Sequence, residues 1–291
     1  MALSMRSVKL KINATKKTAQ ITKAMNMISA SKLKTSEKSI REFQPFITKI
    51  QEIIANIMVD KISLQDVNNV LLKPRPIKKI CFIAISSDKG LSGAFNINVL
   101  KELTQKIKEV SPDISYTVLP LGLKAYYYCK RKNYPIYLDK ITNVRDDVEF
   151  EEMMSVIRDV VKGFMQEDFD EVDVIYNHYH NTLIQEVQTT KLLPIVEFGK
   201  PTVIKNYEFD GNIEEMLKTI LPIYVENLMY GFVLDSKASE HASRMNAMKK
   251  ATDNASEIVD KLTLLYNRAR QQAITLELTD IIGGATIINE K

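Results

Sequence analysis

The sequence predicts an α/β protein in which helices from the two chain ends pair as a long antiparallel coiled coil, with a mostly parallel α/β domain inserted between them. Three observations carry this. Toward its end the 291-residue chain spaces Met245, Met248, Thr252, Ala255, Val259, Leu262, Tyr266, Ala269, Ala273 and Leu276 alternately three and four apart, the a/d register of a coiled coil. The other end shows the same spacing in two blocks, Met5, Val8, Ile12, Thr15 and Ala19, then Ile40, Phe43, Ile47, Ile50, Ile54 and Ile57. Between the two ends, apolar runs of strand length alternate with helical stretches.

No proline follows Pro222, and after it only Gly231 precedes Gly283, so one helix of about 60 residues and ~90 Å is expected at 1.5 Å per residue. A rod of that length needs a partner along it. The amino-terminal end offers one, with no glycine before Gly90 and no proline before Pro45. Heptad stripes are also the buried faces of helices in globular bundles, but ten consecutive seam positions favour the coil. The seam is thin: Thr252, Ala255, Ala269 and Ala273 are small or polar, whereas burying a leucine contributes roughly 1.5 to 3 kcal/mol. Either something else sheathes the rod, or close helix approach matters more than burial.

The texture changes at Lys73, Pro74, Arg75 and Pro76, which divides the chain into an N-terminal coiled-coil helix (1–73), an α/β domain (74–206) and a C-terminal coiled-coil helix (207–291). In the domain a buried strand over 79–85 leads through a loop at 86–93 to a helix over 96–110. A strand over 115–121, a helix over 122–132 and a third strand over 134–138 follow, then an amphipathic helix over 149–165. Strands over 172–180 and 183–193 flank an Asn181-Thr182 turn and pair as a hairpin. Strands alternating with helices imply a doubly wound, Rossmann-like sheet with one antiparallel element at its edge.

A glycine-bearing loop after a first strand invites a nucleotide-binding reading, but Gly90-Leu91-Ser92-Gly93 lacks the G-x-G-x-x-G spacing, and no Gly-Lys-Ser/Thr ending cradles phosphate. No serine, histidine and acid set suggests catalysis. Cys81 and Cys129 lack metal-ligand spacing and read as small buried hydrophobes. His178, His180 and His241 have no matching acidic cluster, so neither a metal nor a cofactor is expected. No apolar run approaches a membrane span, and the lysine-rich start lacks the apolar core of a signal peptide.

A net charge of +4 hides an asymmetry, for the first 50 residues hold eleven Lys or Arg against Glu37 and Glu42. A basic rod suits a solvated face, nucleic acid, anionic lipid or an acidic protein. No aromatic residue precedes Phe43, so single strands have no stacking platform. A small-molecule enzyme built on the α/β domain is the remaining alternative class.

Three segments together resemble the gamma subunit of F-type ATP synthases. Residues 20–33 (QITKAMNMISASKL) are similar to that family's ITKAMxMVAAxKL signature, and residues 87–96 (SDKGLSGAFN) to its (S/T)D(R/K)GLCGxxN loop, with Ser92 where cysteine is frequent. Residues 240–254 (EHASRMNAMKKATDN), continuing through 265–275 to Glu277-Leu278-Thr279-Asp280-Ile281, form the third and longest match. The plant chloroplast members carry an inserted dithiol segment, and no cysteine pair stands here.

The resemblance implies a non-catalytic shaft, present once inside a ring of three alpha and three beta subunits, whose rotation couples transmembrane ion flow to ATP synthesis or hydrolysis. The ring would supply the missing sheath, and its beta-subunit loops the acidic partner of the basic helix, leaving no role for nucleic acid. It also implies a seat on the membrane c-ring and the epsilon subunit, peripheral on the cytoplasmic face of the bacterial inner membrane. Rotor–stator contacts would then fall on Lys23 and Met25, facing Arg244, Gln271, Ile274, Thr275, Asp280 and Ile281 on the other helix. Arg270 and Gln271 are the expected polar contacts to a beta-subunit loop, and the apolar end Ile281, Ile282, Ile287 and Ile288 a tip in an apolar bearing. Tyr207 and Glu208 match the foot that meets the membrane ring.

Overall fold

The computed structural model describes residues 5–61, 69–138, 142–145, 150–195 and 213–289. The element order is α1 (Met5–Lys61), β1 (Lys79–Ile85), α2 (Phe95–Glu109), β2 (Ser115–Leu121), α3 (Leu123–Lys132), α4 (Phe150–Met165), β3 (Glu171–Tyr179), β4 (Gln185–Leu193) and α5 (Ile213–Asn289). The chain packs as two compact units, one of Met1–Ile28 with Met245–Lys291, the other of Ser29–Arg244.

In the first unit the seam is where the spacing put it. Met248 and Ala255 are buried, and Met245, Thr252, Val259, Leu262, Tyr266, Ala269 and Ala273 are half-buried. On α1, Val8 and Ile12 are buried, and Met5, Thr15 and Ala19 half-buried. Two polar contacts set the antiparallel register: Thr22 Oγ1 lies 2.7 Å from Thr252 Oγ1, and Asn26 Nδ2 donates to the Met245 carbonyl at 2.7 Å. Leu276 departs from expectation, being 64 % exposed. Counted one for one from the Thr22–Thr252 contact, Met5 comes level with Ala269, so the described part of α1 ends short of Leu276.

α5 starts earlier than the spacing required. Its 77 residues run through Pro222, as the 57 of α1 run through Pro45. Pro45 is exposed, so the carbonyl one turn back that loses its N–H partner can turn to water.

The second unit is built on a sheet of order β2-β1-β3-β4. β1 pairs parallel with β2 and β3, and β3 pairs antiparallel with β4 at the edge. Alternation along β1 explains why every residue after Lys79 is apolar, because both faces are covered. Cys81, Ile83 and Ile85 join a core with Met153, Ile157, Val160 and Phe164 of α4, Ile50 and Ile54 of α1, and Leu221 and Val225 of α5. Ile80, Phe82 and Ala84 point the other way, onto Val99 and Leu103 of α2 and Ala125 and Cys129 of α3. Gly231 lies where α1 and α5 approach here, and an added Cβ would stand 2.9 Å from Ile47 Cδ1, so that side chain would have to shift. Beside it the Phe43 and Tyr230 rings meet edge-on at 5.0 Å.

The third strand expected over 134–138 is absent as a strand. Only one parallel bridge forms, Val118 with Ile136. Val118 makes both bonds of that bridge, its N–H donating to the Pro135 carbonyl and its carbonyl accepting the Tyr137 N–H, each at 2.8 Å, but Pro135 has no N–H to offer a further rung and Leu138 turns left-handed at φ 58°. The hairpin at Asn181 is as expected: its side-chain Oδ1 accepts the N–H groups of Leu183 and Ile184, both at 2.9 Å.

Candidate functional site

In open α/β sheets the ligand crevice lies beyond the carboxyl ends of the strands where the winding reverses, here between β1 and β3. The loop after β1 occupies that place. Asn96 holds it from inside, its Oδ1 accepting the Ser87 N–H at 2.9 Å and its Nδ2 donating to Ser87 Oγ at 2.8 Å and Ser92 Oγ at 3.1 Å. Asp88 Oδ1 accepts the Leu123 N–H at 2.9 Å and so caps the start of α3. Leu91 and Gly93 adopt φ of 62° and 58°, folding the loop back on itself.

The chain's own helix fills the space where a ligand would sit. Ser243 Oγ of α5 donates to the Ser92 carbonyl at 2.7 Å, and Ser239 Oγ to the Asn177 carbonyl of β3 at 2.9 Å. Arg244 reaches the Gly90 carbonyl at 3.4 and 3.5 Å and pairs with Glu240 at 2.6 Å, while Lys237 pairs with the other oxygen of Glu240 at 3.1 Å. Ser243 is half-buried and the others are almost dry: Ser239 is 0 %, Glu240 3 % and Arg244 8 % exposed. A loop whose carbonyls already accept from α5 is a clamp between domain and helix. Farther along, Asp235 of α5 accepts the Tyr179 N–H at 2.8 Å and meets His178 Nδ1. Burial raises the Asp235 carboxyl pKa above the usual carboxylate value, against the lowering pull of His178 and the Tyr179 N–H. No group of three or more His, Cys, Asp or Glu side chains suited to a metal occurs among the described residues.

The first unit supplies the shaft surface. Lys23 is exposed and Met25 half-buried. Arg270, Gln271, Ile274, Thr275 and Asp280 are exposed on α5, with Thr275 Oγ1 bonded to the Gln271 carbonyl at 2.9 Å. Ile281 is 67 % exposed. The register places Lys23 and Met25 beside the Met248–Thr252 turn of α5, so they do not face the 270–281 strip. That strip begins roughly 20 residues, or ~30 Å, farther along the helix. Arg244 belongs to the second unit and turns inward to Gly90 and Glu240. Tyr207 and Glu208 lie outside the described residues, and the side chains of Ile287 and Ile288 are likewise not described.

Sequence reasoning expected one amino-terminal helix but split its apolar spacing into two blocks. The three-and-four spacing runs from Met5 to Ile57 without a break through Thr22, Asn26, Ser29, Leu33 and Ser36, all buried or half-buried. Polar residues at four of these positions hid it. Sequence reasoning also gave no role to Ser239, nor to Glu240 and Ser243 inside the third motif, because the carbonyls that Ser239 and Ser243 bond are far away in sequence and Glu240 acts through Arg244, which holds Gly90. Asn96 was visible as the last residue of the loop motif.

A long two-helix coiled coil, joined to an α/β domain whose crevice is closed by the chain itself, defines a stalk protein. The family model described as ATP synthase matches residues 4–288, and the chain belongs to that family, as a gamma subunit of the central stalk. The chain is similar to one in the central stalk and c-ring structure of the Tetrahymena thermophila mitochondrial ATP synthase. The two are 27% identical over 79% of this chain and 99% of that one, with a TM-score of 0.58. Two structures of the Euglena gracilis mitochondrial ATP synthase share the fold at a TM-score of 0.66. One, of the OSCP, F1 and c-ring assembly, is 19% identical over 98% of this chain and 94% of that chain. The other, of the rotor, is 18% identical over 93% of this chain and 98% of that chain. Among the described residues no helix is long and apolar enough to cross a membrane.

Proposed function

We propose that this gamma subunit is the non-catalytic shaft of a rotary ATP synthase. One copy turns inside a ring of three alpha and three beta subunits and couples ion flow through the membrane c-ring to ATP synthesis or hydrolysis. The observation that carries the reading is the shaft's double-sided apolar surface. Besides its seam, α5 exposes Leu264 at 61 %, Leu278 at 54 %, Ile281 at 67 % and Ile282 at 65 %, and α1 exposes Leu10 at 62 % and Ile21 at 61 %. Apolar surface spread along both sides of a thin coil calls for an enclosing partner.

Within that reading Arg270, Gln271, Ile274, Thr275, Asp280 and Ile281 touch the ring near the shaft's end, and Lys23 and Met25 touch it at a separate level. Arg244 contributes through the Gly90 loop it holds. Tyr207 and Glu208 belong to the foot that meets the c-ring and the epsilon subunit, on the cytoplasmic face of the bacterial inner membrane. ATP binds the ring subunits, and the closed crevice supports assigning no nucleotide to this chain.

The purified chain is expected to hydrolyse no ATP. Reconstituted with alpha and beta subunits, it is expected in native mass spectra once per three beta chains. Three copies per complex, or turnover by the chain alone, would contradict the proposal.

A further inference from the structure

The shaft accounts for α1 and α5 but leaves one surface of the α/β domain unexplained. The ten residues of α3, LKAYYYCKRK, hold four cations and no carboxylate. Ala125 and Cys129 point into the core. On the opposite face Tyr127 stands 61 % exposed, and Lys124, Lys130 and Arg131 lie three or four positions from it, the spacing that places side chains side by side on a helix. The neighbouring tyrosines take up cations as well, Lys130 over Tyr126 at 5.4 Å and Arg131 over Tyr128 at 5.6 Å.

α2 extends the surface. Its Thr104 Oγ1 meets Tyr128 OH at 2.9 Å, so the helical stripe through Thr104 borders α3. That stripe carries Ile97, 55 % exposed, and the exposed Lys101 and Lys108. The acids of α2 are engaged elsewhere: Glu109 with Lys106 at 3.0 Å, and Glu102 with Thr189 of β4 at 3.3 Å.

The helix dipole explains Lys130, Arg131 and Lys132 in the last turn of α3. It does not explain Lys124 in the first turn, where a cation is unfavourable, nor an exposed tyrosine at the centre of the ring of charge. Tyrosine flanked by lysine and arginine matches the chemistry of a bilayer surface, with the ring at headgroup level and the cations on anionic phosphates.

We propose that the α2–α3 face of the α/β domain contacts the surface of an anionic phospholipid bilayer. Charge complementarity selects the lipid, and Tyr127 with Ile97 supplies the shallow apolar contact. Such an attachment is lateral and fluid, so it is compatible with turning. It goes beyond the shaft reading and does not depend on it.

The chain contains no tryptophan, so Tyr127→Trp installs a single fluorescent reporter at the face. Leu10→Trp, which puts the reporter between Lys9 and Lys11 on the basic α1, is the control. Each full-length variant is mixed with phosphatidylcholine vesicles with or without phosphatidylglycerol, using brominated acyl chains. The indole of the Tyr127→Trp variant is expected to shift to the blue and be quenched only with phosphatidylglycerol, and more weakly as salt rises. Lys130→Gln, Arg131→Gln and Lys132→Gln together, which neutralise the last turn rather than reverse its charge, are expected to weaken binding by about tenfold or more. No quenching in the Tyr127→Trp variant, an equal response without anionic lipid, or quenching in the Leu10→Trp variant alone would overturn the proposal. A reporter on α3 that responds only to polyglutamate or DNA would assign the face to an acidic macromolecule and overturn it as well.

Discussion

Gly122 sits at the junction of β2 and α3 with φ of 88° and ψ of 148°, a conformation open to glycine and hardly to any other residue. An added Cβ there would stand 2.3 Å from the Ser86 carbonyl oxygen, in the strand end that carries the clamp loop. Gly122→Ala is therefore expected to cost about 3 kcal/mol or more of stability in denaturant unfolding. Arg75 is a second fixed point: its Nε donates to Asp170 at 2.6 Å, its terminal nitrogen to the Phe164 carbonyl at 3.0 Å, and it stacks on the Phe164 ring at 4.5 Å. Burial pushes the Asp170 carboxyl up, but the N–H groups of Lys78 and Lys79 together with Arg75 outweigh it and hold the group below the usual carboxylate range. A depressed folded pKa contributes stability that is complete above the unfolded value of about 3.9 and is lost as pH falls through the folded one. Arg75→Met should cost about 1.5 to 3 kcal/mol at neutral pH, because Asp170 loses its charged partner and keeps only the N–H groups of Lys78 and Lys79. The variant should also lose less further stability than the parent below about pH 4, and parallel acid unfolding curves would contradict that assignment.

Among the elements, legibility followed the length scale of the signal. The α5 seam was readable because each position repeats the same local rule, and nine of its ten residues are shielded. Leu276 was misread because its burial depends on how far along α5 the partner helix reaches, which no local spacing records, and the described part of α1 comes only level with Ala269. The strand expected over 134–138 failed for a related reason: an apolar, aromatic run fits the pattern, but Pro135 withholds a donor and Leu138 turns the chain. The clamp was the least legible feature, since serine and arginine on a helix look like surface residues until their distant carbonyl partners are known. The thin seam has a measurable consequence. In the free subunit the amides of residues 245–276 should exchange with solvent quickly, whereas those of β1, buried on both faces, should be protected. Inside an alpha and beta ring both should be protected. Equal protection of the helix with and without the ring would show that the coil stands alone.

Taken whole, the chain offers a coiled coil with a thin seam and an α/β domain whose crevice has been given over to its own helix. Both features suit a part that transmits torque and leaves the nucleotide chemistry to others. Rotation tests this most directly. Leu183, at the tip of the β3–β4 hairpin, is 81 % exposed, while Cys81 and Cys129 are buried, so Leu183→Cys gives one accessible thiol for a bead. With the alpha and beta ring fixed to a surface and ATP supplied, the bead should turn in one direction, with dwells that repeat with the ring's threefold symmetry. A bead that stays still, or only fluctuates, while the same complexes hydrolyse ATP would contradict the central claim.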